Sequence, residues 1–148
     1  MEKKCFKLVE TAFGVNFDLA EDGCKSVGAH LTSIESQCEQ DTVSGLANEA
    51  AVWTGGNDRT TEGTFVWLNG NEFYKDGAAS AGVYTKLSTG FNKAAQSTQH
   101  CVQMQAAGDW DDVVCSKSLN YICEKEAYAG AATFVQTTLF ATTASKTQ

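Results

Sequence analysis

Proline is absent from the 148-residue chain, and histidine occurs only twice. Without proline, a cis peptide has no low-cost way to form. Two histidines leave few nucleophile–base pairs for an enzyme. The G-x-S-x-G elbow, the P-loop, the dinucleotide glycine pattern and H-E-x-x-H are all missing. The sequence therefore reads as a binder and not an enzyme. Basic charge is scarce as well: 11 Lys and Arg against 18 Asp and Glu leave a formal net charge of -7. That balance excludes a general nucleic-acid binder, which needs a basic face, and gives no attraction to an anionic membrane. No apolar run approaches the roughly 20 residues of a membrane-spanning helix. Met1 to Cys5 carries a lysine pair without the apolar segment of a signal peptide. One further lack is regional: from Gly77 through Gly108 there is no Asp or Glu.

What is present is ordinary for one globular domain, with 43% hydrophobic and 20% charged residues. The sharper signal is six cysteines, Cys5, Cys24, Cys38, Cys101, Cys115 and Cys123. No pair has the C-x-x-C spacing of zinc sites or thiol oxidoreductases. An even count without that spacing predicts disulfides, hence a secreted, extracellular protein. Six buried free thiols in a cytosolic protein is the competing reading. By count alone, 15 connectivities stay open.

The pattern predicts an α+β layout. Lys4 to Glu10 alternates as a strand with Phe6 and Leu8 on one face. Asn16 and Asp18 offer cap chemistry to a helix whose stripe is Phe17, Ala20, Cys24 and Val27, with Gly28 as its stop. Ser36 and Glu39 form a Ser-x-x-Glu capping box for a second helix, running to about Asn48. Beyond residue 50 short strands are expected at Ala51 to Thr54, Thr64 to Leu68, Gln99 to Gln105 and Asn120 to Lys125. Asn69-Gly70 makes a turn before Glu72-Phe73-Tyr74. Residues 75 to 98 show no periodicity and read as a long functional loop. The domain is expected to occupy residues 1–126. Residues 127–148 form an Ala/Thr-rich tail, with a third, oligomerising role open to its Phe134 to Phe140 segment.

Nine segments in order resemble the C-type lectin-like domain. They are Cys5-Phe6-Lys7-Leu8, Cys24, Gly28-Ala29-His30-Leu31-Thr32-Ser33-Ile34, Val52-Trp53-Thr54-Gly55-Gly56, Glu62-Gly63-Thr64-Phe65-Val66-Trp67, Cys101-Val102-Gln103-Met104, Trp110-Asp111-Asp112, Cys115, and Tyr121-Ile122-Cys123-Glu124. The resemblance implies a C-type lectin-like fold: two helices, antiparallel sheets and a long ligand-binding loop. It implies Cys24–Cys123 and Cys101–Cys115 pairs, and it leaves Cys5 and Cys38 to each other by elimination.

Sugar-binding members of that family hold calcium in the long loop, and calcium needs about 6–8 oxygen ligands. By resemblance, Asp111 and Asp112 match the last ligand motif, with Asp111 in place of an amide. Gln99 stands where a glutamate is usual, and Gln96-Ser97-Thr98 is a poor counterpart of the proline-containing triplet. The carboxylate-free loop points independently in the same direction: the sugar site is expected to be disabled. Asp58 and Glu62 have the four-residue offset of two accessory calcium ligands. The preferred reading is a turn at Asn57-Asp58-Arg59 with Glu62 as a solvated charge. Calcium is thus a candidate cofactor and not an assigned one.

Two binding modes result. One is calcium-independent recognition of a protein or other surface through the neutral loop, with Tyr84 and Phe91 as anchors and His100 as a titratable neighbour. The other is calcium-dependent glycan binding on Asp111, Asp112, Gln99 and Gln96. Trp53, Trp67 and Trp110 are expected in the core, although Trp110, beside the acidic pair, also stands as a candidate ligand contact.

Overall fold

The computed structural model describes residues 3–93 and 98–127. Gln96 and the tail from 128 onward lie outside the described residues.

The first strand, β1 (Lys4–Val9), pairs antiparallel with the last, β9 (Asn120–Glu126), in a register running from Lys4↔Glu126 to Val9↔Tyr121. Side chains alternate across β1. Phe6 and Leu8 pack on one apolar cluster, while Cys5 and Val9 pack on the other. Helix α1 (Phe17–Lys25) starts where Asn16 Oδ1 accepts from the Leu19 N–H at 2.9 Å, and it buries Phe17, Ala20 and Cys24. The two-residue strand β2 (His30–Leu31) then joins β9. Helix α2 (Gln37–Ala47) is capped by Ser36, whose Oγ accepts from the Glu39 N–H at 3.1 Å, and it ends at Asn48 in the left-handed region, φ 52°. The box is not reciprocal: Glu39 Oε1 accepts from the Glu35 N–H, at 2.8 Å.

Strand β3 (Val52–Asn57) is wholly buried, and neighbouring elements crowd its two glycines. A Cβ on Gly56 would stand 3.0 Å from Val102 Cβ, so only glycine lets the strands approach this closely. Strands β4 (Phe65–Val66), β5 (Glu72–Lys75) and β6 (Ala78–Ala79) follow, then β7 (Cys101–Met104) and β8 (Trp110–Val113). The main path of the sheet is β1-β9-β3-β4-β5-β6, with β2 also on β9 and β7 bridging β3 to β8. The expected antiparallel arrangement needs one correction, since β3 runs parallel to β9 through Val52↔Asn120 and Trp53↔Tyr121. The connection between them holds five further strands, long enough for the crossover that parallel pairing demands. The strand at β8 lay outside the expected strands.

Two apolar clusters divide the interior. One joins α2 to Phe65, Trp67, Phe73, Phe91 and Trp110. The other joins α1 to Trp53, Tyr121 and both Cys24 and Cys123. Cys24–Cys123 and Cys101–Cys115 are bonded, at sequence separations of 99 and 14. The chain-entropy model assigns closures of about 100 and about 15 residues roughly 4.7 and 3 kcal/mol.

Cys5 and Cys38 are both free thiols, which corrects the pairing by elimination. The reason is strand alternation. Cys5 faces the α1 cluster, whereas α2, which carries Cys38, packs on the opposite one through Val43 and Ala47. Cys38 itself is exposed.

Candidate functional site: the long loop and an acidic corner

The region after β6 lacks periodicity in sequence because its order comes from distant partners. The Ser88 N–H donates to Trp110 O at 2.8 Å, and the Trp110 N–H donates to Lys86 O at 2.8 Å. These bonds draw the loop onto β8 and carry Phe91 into the core, ring to ring with Phe65 at 4.8 Å and Tyr74 at 4.9 Å. Phe91 is thus no surface anchor, a correction. Trp110 takes the core position expected of it and not the candidate ligand contact: it is fully buried, 5.1 Å from Trp67, and its indole N–H donates to Gln40 Oε1 at 2.9 Å. The same Gln40 amide donates to Gly108 O at 2.7 Å, so one buried side chain ties α2 to the turn before β8.

Tyr84 stays half-exposed. Its hydroxyl donates to Gln37 Oε1 at 3.2 Å, and burial, aided by the Asp41 charge, pushes its pKa up. Beside it opens a cleft of about 340 Å³, lined by Glu35, Trp67, Asn71, Glu72, Val83 and Tyr84 among others. Val83 is exposed. Val83 and the two glutamates escaped sequence reading because nothing local announces that three separate turns meet there.

At the other edge of the loop, Asp111 and Asp112 hold the chain in place. Ser88 Oγ donates to Asp111 Oδ1 at 3.0 Å, and the Asn92 N–H donates to Asp112 Oδ1 at 2.7 Å. Asp112 is buried, and its Oδ2 has no hydrogen-bond partner among the described residues. Burial pushes this carboxyl above the usual range. The Asp111 and Asp58 charges push the same way, against the backbone N–H groups of Asn92 and of Asp112 itself. Gln99 is half-buried.

Asp58 is also buried, whereas Glu62, expected as a solvated charge, is exposed. The pairing Asn57↔Cys101 sets Asp58 opposite His100, and the Asp58 N–H donates to His100 O at 3.1 Å. His100 Nδ1 then lies 2.9 Å from Asp58 Oδ1 and 3.3 Å from Glu62 Oε1. Asp58 Oδ2 accepts from the Gly63 N–H at 2.8 Å, which fixes the plane of the carboxylate. One ligand atom from each of Asp58, Glu62 and His100 falls within 4.8 Å of the others. Sequence reading offered Asp58 and Glu62 together but kept His100 apart, because the register joining them is not visible in the sequence.

A disulfide-stapled α+β scaffold carrying a tethered loop beside a group of carboxylates is the architecture of a ligand-binding module. Comparison with known proteins makes the assignment specific. The family model described as Lectin C-type domain matches residues 14–125, so the chain belongs to the C-type lectin domain family. It is 32% identical to mouse C-type lectin domain family 4 member F over 76% of this chain and 20% of that protein. It is 35% identical to the type-2 ice-structuring protein of Brachyopsis segaliensis over 84% of this chain and 68% of that one. Among solved structures, the cow C-type carbohydrate-recognition domain of CD23 superposes with a TM-score of 0.72 at 28% identity, covering 87% and 92% of the two chains. The chain spans only about a fifth to a half of the first curated relatives it matches.

Domains of this family are generally binding modules and often hold calcium. The residues here fit calcium poorly. At the loop, the described groups offer one open buried carboxylate oxygen, on Asp112, while Asp111 and Asp112 each spend Oδ1 on the loop itself. At the corner, an imidazole nitrogen points between the carboxylates, where calcium would want another oxygen. Among the described residues no helix is long and apolar enough to cross a membrane.

Proposed function

We propose that this is a secreted, non-enzymatic recognition domain that binds a protein or another extended surface through its long loop, without the calcium-bound sugar site. The domain occupies residues 1–126, and the matched span, which ends at residue 125, supports its C-terminal limit. The observation that carries the reading is the occupation of the two loop carboxylates. Asp111 and Asp112 bond Ser88 and Asn92 directly, so the protein's own groups do the loop-ordering that a cation would do. The binding face is the carboxylate-free stretch from Gly77 to Gln99, with half-exposed Tyr84 and exposed Val83 beside the cleft as its contacts. Likeness to an ice-structuring protein extends the class of surface from proteins to ice. Thermal hysteresis of a chilled solution reads that case directly.

Calcium added to metal-free protein is expected to leave the thermal midpoint unchanged. A rise of several degrees that disappears in Asp112→Ala overturns the reading. One observation favours the second mode, calcium-dependent glycan binding on Asp111, Asp112, Gln99 and Gln96: the buried Asp112 Oδ2 lacks a partner among the described residues. Glycan-array binding that calcium restores to stripped protein would support that mode.

A further inference from the structure

The corner formed by Asp58, Glu62 and His100 differs chemically from the calcium sites its family is known for, and the difference defines what fits it. We infer that this corner binds a first-row transition dication of the zinc class in preference to calcium.

Three observations carry the inference. The donor set is two carboxylate oxygens and one imidazole nitrogen, all within 4.8 Å of one another. Calcium takes oxygen ligands in sets of about 6–8, whereas zinc is satisfied by about four ligands and takes imidazole and carboxylate together. The donors are also already held. Asp58, the residue after β3, faces His100, the residue before β7, and a backbone hydrogen bond of 3.1 Å joins them. The disulfide at Cys101 follows His100 directly. Asp58 Oδ2 is pinned by the Gly63 N–H at 2.8 Å, the kind of outer contact that orients a metal ligand. Glu62 is exposed, so the corner is reached from solvent. Finally, the charge around the corner calls for a cation. Asp112 is buried with Oδ2 unpartnered among the described residues, and the nearby charges acting on it, those of Asp111 and Asp58, are both negative. Asp112 is not one of the three clustered ligands. Its charge interacts with that of Asp58 and adds to the negative potential at the corner.

The competing account is a plain ion pair, with a protonated His100 bridging Asp58 and Glu62. Isothermal titration of zinc chloride, and separately calcium chloride, into the metal-free full chain distinguishes the two. One equivalent of zinc is expected, bound more tightly than calcium. His100→Gln and Glu62→Gln should each weaken zinc by at least about a hundredfold, since even outer partners of metal ligands shift affinity by about 10–100-fold. Glu62 is on the surface, so Glu62→Gln tests the site without threatening the fold. His100→Asp restores an all-oxygen corner and should reverse the preference toward calcium. Cobalt substitution adds a spectroscopic readout: d–d bands without a thiolate charge-transfer band place the metal at nitrogen and oxygen and away from Cys5 and Cys38. The inference is overturned if zinc does not bind, if calcium binds wild type more tightly than zinc, or if both Gln variants take zinc as well as wild type does. The zinc corner does not depend on what the loop binds. The loop reading is tested at Asp112 with calcium, so either can fail while the other stands.

Discussion

The molecule gathers carboxylates in two places, and it treats them differently. Near the meeting of β1, β9 and α2, the Lys4 ammonium lies 3.1 Å from Glu39, 3.5 Å from Glu35 and 3.5 Å from Glu124, and 3.0 Å from Ser33 Oγ. Glu124 is further held by the Ser33 N–H at 2.7 Å and by the Thr32 hydroxyl at 3.1 Å. Every acid there has a donor, and the group welds the final strand to the second helix. At the loop end, Asp58 and Glu62 share one imidazole, while the buried Asp112 has an oxygen without a hydrogen-bond partner among the described residues. Both clusters are stapled, since Cys123 precedes Glu124 and Cys101 follows His100. Satisfaction is what separates them. The first is complete in protein groups alone, so its role is to hold the fold. The second, among the described residues, sets one imidazole between two carboxylates, which is the arrangement the zinc inference rests on.

The difference is testable, beginning with the staples. Removing Cys24–Cys123 by a double serine substitution should cost about 4.7 kcal/mol, against about 3 kcal/mol for Cys101–Cys115. Urea unfolding of the two variants gives the ranking. Equal losses, or the reverse order, would mean that closure length does not set the contribution of each staple. Loss of the second staple should also weaken zinc at the corner, because His100 loses its anchor. Loss of the first should not.

Next comes the lysine. Lys4→Met leaves three carboxylates facing one another, and breaking a buried ion pair by removing one partner should cost about 3 kcal/mol at neutral pH. Burial pulls the Lys4 pKa down, but the Glu124 charge, the Glu39 hydrogen bond and charge, and the Glu35 charge together raise it above 10.5. A raised lysine stabilises the fold fully below its unfolded value and loses that contribution as pH climbs through the folded value. Alkaline sensitivity should therefore set in above pH 10.5 in wild type and be missing in Lys4→Met. Glu124 has the opposite sign. Burial raises it above 4.5, against the Ser33 and Thr32 hydrogen bonds and the Lys4 charge, so its ionised form costs stability. That cost is relieved as pH falls from the folded value toward 4.5, and Lys4→Met should recover part of its loss there. A variant whose deficit is the same at every pH would reduce this cluster to simple packing.

These two clusters also show how much the sequence discloses. Local signals were legible: Asn16 and Ser36 cap their helices, and the Asn69-Gly70 turn places Gly70 at φ 92°. The family's nine-segment pattern carried the fold and two of the disulfides. What stayed hidden depends on register between distant strands. Phe91 reads as a loop anchor because its neighbours are polar, yet backbone bonds between Ser88, Lys86 and Trp110 carry it inward. His100 reads as an isolated titratable group until Asn57↔Cys101 sets it against Asp58. Cys5 and Cys38 look like a leftover pair until strand alternation turns one away from the helix that bears the other.

A smaller effect isolates the loop cluster. Asp112→Asn keeps the acceptor for the Asn92 N–H and replaces the open oxygen by an amide that donates toward the Asp111 and Asp58 charges. Burial raises the carboxyl above 3.8, so its ionised form costs stability, and removing the charge should raise the urea midpoint of metal-free protein slightly. Glu124→Gln also removes a charge whose burial costs stability, but it strips a partner from Lys4 and weakens the acceptor for Ser33, so it should be the less favourable of the two substitutions. A more favourable change at Asp112 than at Glu124, measured by urea unfolding, is what the comparison requires. A destabilised Asp112→Asn would show that the loop cluster is as complete as the other.

The smallest expected effect concerns the two remaining cysteines. Cys5 lies on the α1 face of β1 and Cys38 is exposed on α2, so neither supports the other. Cys38→Ser should change stability by no more than about 0.5 kcal/mol, the range of ordinary surface substitutions. A thiol titration of denatured, unreduced protein should return two free groups. A loss near 3 kcal/mol, or no free thiol, would restore a bond between β1 and α2 and put a third staple beside Lys4. The ion cluster would then share its structural work with a covalent link, and the contrast between a welded end and an open end would become steeper still.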